Sequence, residues 1–305
     1  MFNRSLYKLA SIPCIIGLTS LSISNTKLAN CENKTPGGEV GKSGWVTPSS
    51  YYFKHFNERS FNMNWDMREP RDSSKENKPV HTLLLIRHGQ YHEVKGHDSK
   101  RTLTALGRYQ AKEVGKRIVE LQKSRKIPKV KYIYHSTMAR AEETSEVILS
   151  ELKSDSVSNS GSDEIRVEAC SMLREGAVHR TDPPSPHYDP GEEKFTKDNF
   201  RVEAAFLNHF HRADKEETED YTTVLVCHGN VIRYFIFRVL QLLPERWLST
   251  AVYNCSISTV NIYDSGKVSV KGVGDVGFLD PTKISYCESD GDGGIPDTRK
   301  GHVRK

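Results

Sequence analysis

The sequence lacks a disulfide framework and any recognisable metal-binding spacing. Its 305 residues include only six cysteines, and none of them forms a Cys-x-x-Cys pair. Cys227 and Cys255 stand in or beside apolar runs, which is typical of reduced, buried thiols. No spacing among the histidine, aspartate and cysteine residues matches the ligand patterns of protein metal sites. We therefore expect no metal and no cofactor, and the scarcity of paired cysteines argues against secretion.

The sequence also lacks segregated charge and internal repeats. Hydrophobic residues make up 36% of the chain and charged residues 27%, with a formal net charge of +5, which is ordinary for a soluble globular protein. No block of lysine and arginine appears, and no basic stripe is interleaved with aromatic residues, so a nucleic-acid partner is not expected. Length alone does not decide between one large domain and two small ones.

The N-terminal residues 1–31 lack acidic side chains but carry Arg4, Lys8 and Lys27. They include a run of apolar and small residues from 9 to 23, whereas a membrane-spanning helix needs about 20 apolar residues. From the residues alone, three interpretations stay open: a secretory signal, a mitochondrial targeting element, or a marginal membrane anchor. We therefore predict a targeting or membrane segment here without choosing among the three.

Changes of pattern divide the rest of the chain into three parts. Residues 32–80 begin rich in Gly, Pro, Ser and Lys, which predicts a linker, and end with an aromatic and charged patch. Over residues 81–287, apolar strand-like runs alternate with helical patterns. This alternation predicts an α/β fold, a three-layer α/β/α sandwich with a mostly parallel sheet. Residues 288–305 contain few apolar residues and are predicted to form a disordered tail.

Two apolar runs each lead into a histidine followed by a glycine. Residues 83–86 run into Arg87-His88-Gly89, and residues 223–227 run into His228-Gly229. Such runs are typical of buried parallel strands, whose carboxyl ends meet where helices begin and ligands bind. Two further junctions are expected at the same edge of the sheet: Ser136-Thr137-Met138-Ala139-Arg140 and Leu173-Arg174-Glu175-Gly176.

The residue types at these junctions indicate a pocket for phosphoryl transfer. A neutral imidazole is a competent nucleophile near neutral pH, and covalent capture divides one displacement into two. Arginine neutralises phosphoryl oxygens without titrating, and a carboxylic acid supplies the proton that a departing alkoxide needs. Cations near the nucleophile would favour its neutral form, and glycines allow the backbone to approach a phosphate closely. We assign His88 as nucleophile, Glu175 as acid and later base, Arg87, Arg140 and His228 as phosphate-binding side chains, and Gly89 and Gly229 as the close-approach glycines.

At these residues the chain resembles the histidine phosphatase (phosphoglycerate mutase-like) superfamily, whose hallmark is an Arg-His-Gly strand end. Within it, the chain is similar to the mitochondrial serine/threonine-protein phosphatases of the phosphoglycerate mutase family, over about residues 64–284. The similarity is carried by the motifs Asn64-Trp65-Asp66, Arg87-His88-Gly89-Gln90-Tyr91-His92, Arg101-Thr102-Leu103-Thr104, Leu173-Arg174-Glu175-Gly176 and Cys227-His228-Gly229-Asn230-Val231-Ile232-Arg233-Tyr234.

The resemblance implies a phosphohistidine intermediate on His88 and phosphoserine or phosphothreonine proteins as substrates. It implies a mitochondrial membrane, the outer one favoured over the inner, reached through the N-terminal segment. It also implies that Trp65 and Asp66 drive assembly into a homo-oligomer. Where the family motif has Trp-Asp three residues ahead of its asparagine, this chain has Phe61-Asn62, which keeps the aromatic ring and loses the carboxylate.

Two rival functions stay open. A phosphoglycerate mutase or small-molecule phosphatase of the same superfamily usually continues Arg-His-Gly with Glu-Ser, whereas this chain has Gln90-Tyr91. A mutase also needs extra basic residues after its acid, to hold a second anion, and here Arg180 precedes a run of acidic residues. The other rival is a membrane scaffold with secondary phosphatase activity, although the intact set of site residues favours an enzyme.

Some of the site residues also have plainer structural interpretations. Arg140 could be a surface ion-pair partner of Glu142 or Glu143, because all three fall in one helical pattern. Arg174 and Glu175 could form a salt bridge within a loop.

Overall fold

The computed structural model describes residues 61–68, 78–155, 164–184 and 189–287. The targeting or membrane segment predicted at residues 1–31 and the tail predicted at 288–305 lie outside these residues, as does most of the predicted linker. Within the described part of the chain, no helix has the length and apolar content that crossing a membrane requires.

Among the described residues, six strands form one sheet: β1 (His81–Arg87), β2 (Val130–Ser136), β3 (Arg166–Cys170), β4 (Tyr221–Cys227), β5 (Ile257–Ile262) and β6 (Val268–Asp275). Their order across the sheet is β3-β2-β4-β1-β5-β6. The first four strands run parallel, whereas β5 pairs antiparallel with both β1 and β6. A tight turn between Tyr263 and Lys267 joins β5 to β6 as a hairpin.

β1 and β4 are buried along their whole length. Each has a hydrogen-bonded neighbour on both sides, and helices cover both faces of the sheet, so a continuous apolar sequence is what such strands require. Their register pairs Leu84 with Val224 and Arg87 with Cys227, so the two strands end level. The residues that follow Arg87 and Cys227 therefore lie side by side.

In the part of the chain that the structure describes, four helices cover the sheet: α1 (Ala105–Lys123), α2 (Ala139–Ser154), α3 (Glu192–His209) and α4 (Gly229–Val239). Side chains alternate between the two faces of a strand. Leu84 and Ile86 pack in a core with α1 and α2, whereas Leu83 and Leu85 pack in a second core with α3 and α4. The predicted three-layer α/β/α sandwich with a mostly parallel sheet is confirmed. Short 3-10 turns occupy Asp98–Lys100, Ser171–Leu173, Pro244–Ser249 and Pro281–Lys283.

Residues 61–68 pack against the edge of the sheet at which β1 begins. Trp65 is 6% exposed, its indole Nε1 donates to the carbonyl of Gly266 at 2.8 Å, and its ring centroid lies 5.9 Å from that of Phe206. Gly266 has a φ of 84°, and a Cβ at this position would lie 1.7 Å from the carbonyl oxygen of Met63. Because both the backbone conformation and the close approach exclude a side chain, a glycine is required in this turn.

Asp66 forms a buried ion pair with Arg212. The Nη2 of Arg212 donates to Asp66 Oδ1 at 2.6 Å and its Nε donates to Oδ2 at 3.1 Å, while the two side chains are 6% and 1% exposed. Burial opposes ionisation of Asp66, but the hydrogen bonds from Arg212 outweigh it and hold the pKa of the carboxyl below its usual value. Loss of one partner would leave an uncompensated buried charge, so this pair fixes residues 61–68 to the rest of the fold.

Candidate active site

The parallel strands deliver the predicted site residues to one edge of the sheet. His88 directly follows β1, and His228 directly follows β4. Arg140 lies in the first turn of α2, which comes after β2, and Glu175 lies beyond the 3-10 turn that follows β3. Helices α2 and α4 also begin at this edge, and helix N-termini attract anions. The edge therefore combines the predicted residues with a favourable field for phosphate.

His88 is buried, with 2% of its surface exposed. Its Nδ1 lies 2.9 Å from the carbonyl oxygen of Gly89. A carbonyl oxygen can only accept, so Nδ1 carries the proton and Nε2 keeps a lone pair. Nε2 lies 3.2 Å from the Nε of Arg140, and the ring of Tyr91 meets the imidazole edge-on with centroids 5.1 Å apart. The nitrogen suited to attack is thus fixed by the bond at the other nitrogen.

The pKa of His88 lies well below its usual value. Burial is the largest cause, followed by electrostatic repulsion between the imidazolium form and Arg140, His228 and Arg87. The arginines near His88 were predicted from the sequence to favour its neutral form, and the structure adds burial as the stronger effect. Both causes disfavour the imidazolium, so the ring is neutral and nucleophilic at neutral pH.

His228 is fully buried beside His88, with ring centroids 5.0 Å apart. Its Nδ1 lies 3.3 Å from the Nη2 of Arg140, and its Nε2 lies 2.8 Å from the hydroxyl of Ser136. Arginine can only donate, so Nδ1 accepts and the proton sits on Nε2, directed to Ser136. Burial, and then the charges of nearby arginines, also lower the pKa of His228 well below its usual value.

Arg140 is 3% exposed and joins the two histidines. Its Nη1 pairs with Asp98 Oδ1 at 3.2 Å, and its guanidinium carbon lies 4.6 Å from the ring centroid of Tyr91. Glu143, in the same helix, pairs instead with Arg108 at 2.8 Å. Arg140 is therefore a buried cation of the site, and the plainer interpretation as a surface ion-pair partner is wrong.

Arg87 is 7% exposed, and two backbone carbonyls hold its guanidinium. Nη1 donates to Val252 O and Nη2 to Tyr286 O, both at 2.8 Å. The Nε atom is buried, and no described residue provides it with a hydrogen-bond partner. A Cβ placed on Gly229 would lie 3.7 Å from this nitrogen. The first residue of α4 and the Nε of Arg87 are therefore close neighbours.

Gly89 is required by packing. A Cβ at this position would lie 2.6 Å from the carbonyl oxygen of Gly107, and a Cβ on Gly107 would lie 1.9 Å from the carbonyl oxygen of Gln90. The N–H of Gly89 donates to the hydroxyl of Thr144 at 3.0 Å. The loop after β1 thus lies directly against the first turn of α1. This contact accounts for the glycine, and its predicted close approach to a phosphate stays a prediction.

Glu175 is half-buried at the same edge. Its Oε1 accepts from the N–H of Gly176 at 3.1 Å. Burial lowers the pKa of both Arg87 and Arg140, and the negative charge of Glu175 acts against this lowering in each case. The carboxylate is therefore near both arginines. Among the hydrogen bonds of the described residues, none joins its side chain to either histidine.

The loop that carries Glu175 is held by Arg201 of α3, a residue that sequence reasoning missed. The Nη1 of Arg201 donates to the carbonyl oxygens of Met172, at 2.7 Å, and Arg174, at 2.6 Å. The Arg174 side chain donates to Thr137 Oγ1 at 3.1 Å. The loop salt bridge between Arg174 and Glu175 is not among the ion pairs of the described residues.

Three further residues of the site were not predicted: Asp98, Arg233 and Tyr286. Asp98 pairs with Arg140. The ring of Tyr286 lies against the guanidinium of Arg87, and Arg233 donates to the hydroxyl of Tyr286. No local pattern marks Asp98 or Tyr286. Arg233 had one usable signal, because it lies four residues after Gly229 and therefore on the same face of α4.

The sequence is similar to known proteins over most of the described region. The profile of the histidine phosphatase superfamily (branch 1) matches residues 83–275. The protein "Serine/threonine-protein phosphatase Pgam5, mitochondrial" of Drosophila persimilis is 39% identical over 238 residues, which cover 71% of this chain and 77% of that protein. Its Mus musculus namesake is 38% identical over 242 residues, which cover 73% and 79%.

Solved structures give weaker similarities. The phosphoglycerate mutase of Plasmodium falciparum is 28% identical, with a TM-score of 0.44, over 64% of this chain and 91% of that chain. YhfR of Bacillus stearothermophilus is 23% identical, with a TM-score of 0.48, over 66% and 100%. Scores of this size add no argument about function.

Proposed function

Because the chain belongs to branch 1 of the histidine phosphatase superfamily, and within it to the family of the mitochondrial serine/threonine-protein phosphatases Pgam5, we propose that it hydrolyses phosphoserine and phosphothreonine in proteins. The observation that carries the proposal is the geometry of His88. Its Nδ1 is bound to a carbonyl, its Nε2 bears the lone pair, and that lone pair faces the cationic side chain of Arg140. The relatives' names support the choice of phosphoprotein substrates.

In the first step, His88 Nε2 attacks the phosphorus atom. The Nε of Arg140, now 3.2 Å from that nitrogen, must donate to a phosphoryl oxygen instead, which releases the lone pair. As the N–P bond forms, the P–O bond to the serine or threonine breaks, and Glu175, which must be protonated in the complex with substrate, gives its proton to the departing oxygen. Arg87 Nε and Arg140 neutralise the phosphoryl oxygens, and neither cation is lost by titration.

In the second step, water replaces the histidine on phosphorus. Glu175, now a carboxylate, takes a proton from the attacking water. The N–P bond breaks and returns its electron pair to Nε2 of His88, while inorganic phosphate leaves. The carbonyl oxygen of Gly89, 2.9 Å from Nδ1, stabilises the positive charge that the ring carries while it holds the phosphoryl group.

The contacts of the site support hydrolysis over mutase chemistry. Arg180, in the segment after Glu175, is paired with Glu192 and lies over the ring of Phe195, with 5.3 Å between the guanidinium carbon and the centroid. Gln90 donates to the carbonyl oxygen of Cys287 at 3.1 Å. A mutase must hold a second anionic group with an additional cation. Arg180, the arginine that follows Glu175, is already engaged by Glu192 and Phe195.

We expect the purified full chain to release inorganic phosphate from a phosphoserine peptide. With 3-phosphoglycerate and added bisphosphoglycerate, we expect little or no mutase activity, because the one arginine of residues 176–182, Arg180, is paired with Glu192. Phosphate release and phosphoglycerate isomerisation are measured on the same preparation. Mutase turnover faster than phosphopeptide hydrolysis would favour the mutase alternative. Membrane binding without hydrolysis of any phosphopeptide would favour the scaffold.

The proposed location is the mitochondrion, at a membrane, with the outer membrane favoured over the inner. The relatives from Drosophila persimilis and Mus musculus both carry the word mitochondrial in their names. The N-terminal residues 1–31, with basic and no acidic side chains, support a targeting or anchoring role for that segment.

We also propose that Trp65 and Asp66 carry the assembly of a homo-oligomer. Their described contacts, with Gly266 and Arg212, lie within one chain. The same indole-to-carbonyl bond and the same ion pair would form between chains if copies exchanged residues 61–68, which is a low-cost route to assembly.

Trp65→Ala is expected to lower the mass of the assembly in sedimentation measurements. The change removes a buried ring and its bond to Gly266, so residues 61–68 lose their main apolar anchor. Met67→Ala is the matched control, because Met67 lies in the same segment and is 78% exposed. Equal mass for Trp65→Ala and the unmodified chain would refute the assembly role.

A further inference from the structure

The segment after the last 3-10 turn crosses the edge of the sheet where His88 lies. We call residues 284–287 the C-terminal strap. Its backbone carbonyls accept three hydrogen bonds: Ser285 from the N–H of Asn254 at 3.0 Å, Tyr286 from Arg87 at 2.8 Å and Cys287 from Gln90 at 3.1 Å. The strap therefore contacts two residues of the Arg87-His88-Gly89-Gln90 motif directly.

Tyr286 contacts Arg87 in two ways. Its carbonyl oxygen binds Nη2, and its ring lies under the guanidinium, with 4.7 Å between the Arg87 carbon Cζ and the ring centroid. Val252 occupies Nη1 through its own carbonyl. Each terminal nitrogen donates one of its two N–H groups to a carbonyl, and the buried Nε, which has no hydrogen-bond partner among the described residues, is the donor that Arg87 presents beside Gly229 at the start of α4. The orientation of the arginine thus depends on Tyr286.

Arg233 holds Tyr286 from the other side. It lies on α4, is 7% exposed, and forms no ion pair with any carboxylate of the described residues. Its Nη2 donates to the hydroxyl of Tyr286, and its guanidinium carbon lies 5.9 Å from the ring centroid. The negatively polarised face of an aromatic ring attracts cations. Tyr286 therefore mediates between two buried arginines that would otherwise repel each other.

We propose that Tyr286 and Arg233 are positioning residues that hold Arg87 with its Nε directed to the phosphoryl group. The C-terminal strap is then a working part of the site, supplied by the last described residues of the chain. This inference rests on the proposed phosphatase function, in which Arg87 neutralises a phosphoryl oxygen. Three elements of the fold then fix the position of Arg87: β1, which carries it, the strap, which binds it, and α4, whose Arg233 holds Tyr286.

The test is a double-mutant cycle in the full chain, with kcat/KM on a phosphoserine peptide as the readout. Tyr286→Ala keeps the backbone carbonyl that binds Nη2 but removes the ring under the guanidinium and the hydroxyl bound by Arg233. It is expected to lower kcat/KM by about 10- to 100-fold, the effect of weakening the charge-assisted hydrogen bond from Arg87 Nε to the phosphoryl group. In an Arg87→Met background, the same change is expected to have an effect of less than about twofold, because no guanidinium remains to be positioned. Equal losses in the two backgrounds would overturn the proposal.

Tyr109→Ala is the matched control for the loss of a tyrosine ring. Tyr109 lies on α1 and is 39% exposed, so this change is expected to leave kcat/KM unaltered. Tyr286→Phe keeps the ring and the backbone carbonyl and loses the bond to Arg233, so it is expected to lower kcat/KM by about threefold. The double variant Arg233→Met with Tyr286→Phe is expected to lose little more kcat/KM than either single variant, since both changes break the same bond. Full additivity would count against the arrangement.

Binding of inorganic phosphate, measured by calorimetry, separates this inference from the proposed function, because it needs no turnover. Both Tyr286→Ala and Arg87→Met are expected to weaken phosphate binding by about 10-fold or more. Phosphate affinity that is unchanged in Tyr286→Ala but weakened in Arg87→Met would overturn the positioning role alone. Failure of the unmodified chain to hydrolyse any phosphopeptide would overturn the proposed function, whatever the phosphate affinities are.

Discussion

Replacement of His88 by alanine is expected to lower kcat/KM on a phosphoserine peptide by about 10⁴-fold or more. The Nε2 of His88 is the atom that bonds to phosphorus, and alanine offers no lone pair in its place. During turnover, the unmodified chain is expected to carry acid-labile, base-stable phosphate on His88. The variant is expected to carry none. Both are measured by chemical quench with labelled phosphopeptide.

His211→Ala is the matched control for this experiment. His211 precedes β4, and its carbonyl accepts from His81 at the start of β1, so it lies at the opposite edge of the sheet from His88. The control is expected to keep both the activity and the labile phosphate. Undiminished hydrolysis in His88→Ala, or an acid-stable phosphoenzyme in the unmodified chain, would contradict the histidine mechanism.

The fold and the two histidines were predictable because one pattern determines both. A continuous apolar run indicates a buried central strand, and the residue after such a strand necessarily emerges at the carboxyl edge of the sheet. His88 and His228 each follow such a run directly. Arg140 was predictable for a related reason, since it lies in the first turn of the helix after β2.

The residues that hold these groups in place were not predictable from local patterns. Tyr286 meets Arg87 across a sequence separation of 199 residues, and Arg140 pairs with Asp98 across 42. A contact between distant segments depends on how loops close over the edge of the sheet. No periodicity or spacing in the sequence records that closure.

The packing of the segment that contains Trp65 was also not predictable from local patterns. By its sequence it lies outside the alternating strand and helix pattern, which suggests a patch separate from the fold. In the structure Trp65 is buried against Gly266 and Phe206, and Asp66 is paired with Arg212. A short segment without periodicity of its own gains its structure from the surface that it covers, so tertiary contacts decide its place.

Glu175→Gln is expected to separate the two chemical steps. Turnover of a phosphoserine peptide should fall by about 10²- to 10⁴-fold, because the serine alkoxide must leave without a proton. With 4-nitrophenyl phosphate, the stable nitrophenolate leaves without that proton, so His88 should still be phosphorylated. Glutamine cannot take a proton from the attacking water, so hydrolysis of the phosphohistidine should then be slow.

The expected signature of Glu175→Gln is therefore a burst of nitrophenol equal to the amount of enzyme, followed by slow release, with phosphate retained on His88. Glu168→Gln, on an exposed residue of β3, is the matched control and should show neither effect. Glu175 lies on the loop that Arg201 holds, near Arg87 and Arg140. It can transfer a proton in either step only if its carboxyl group reaches the departing oxygen or the attacking water. Equal losses on both substrates without a burst would show that Glu175 orients the arginines and transfers no proton. A burst on the nitrophenyl ester alone would establish it as the acid of the first step and the base of the second.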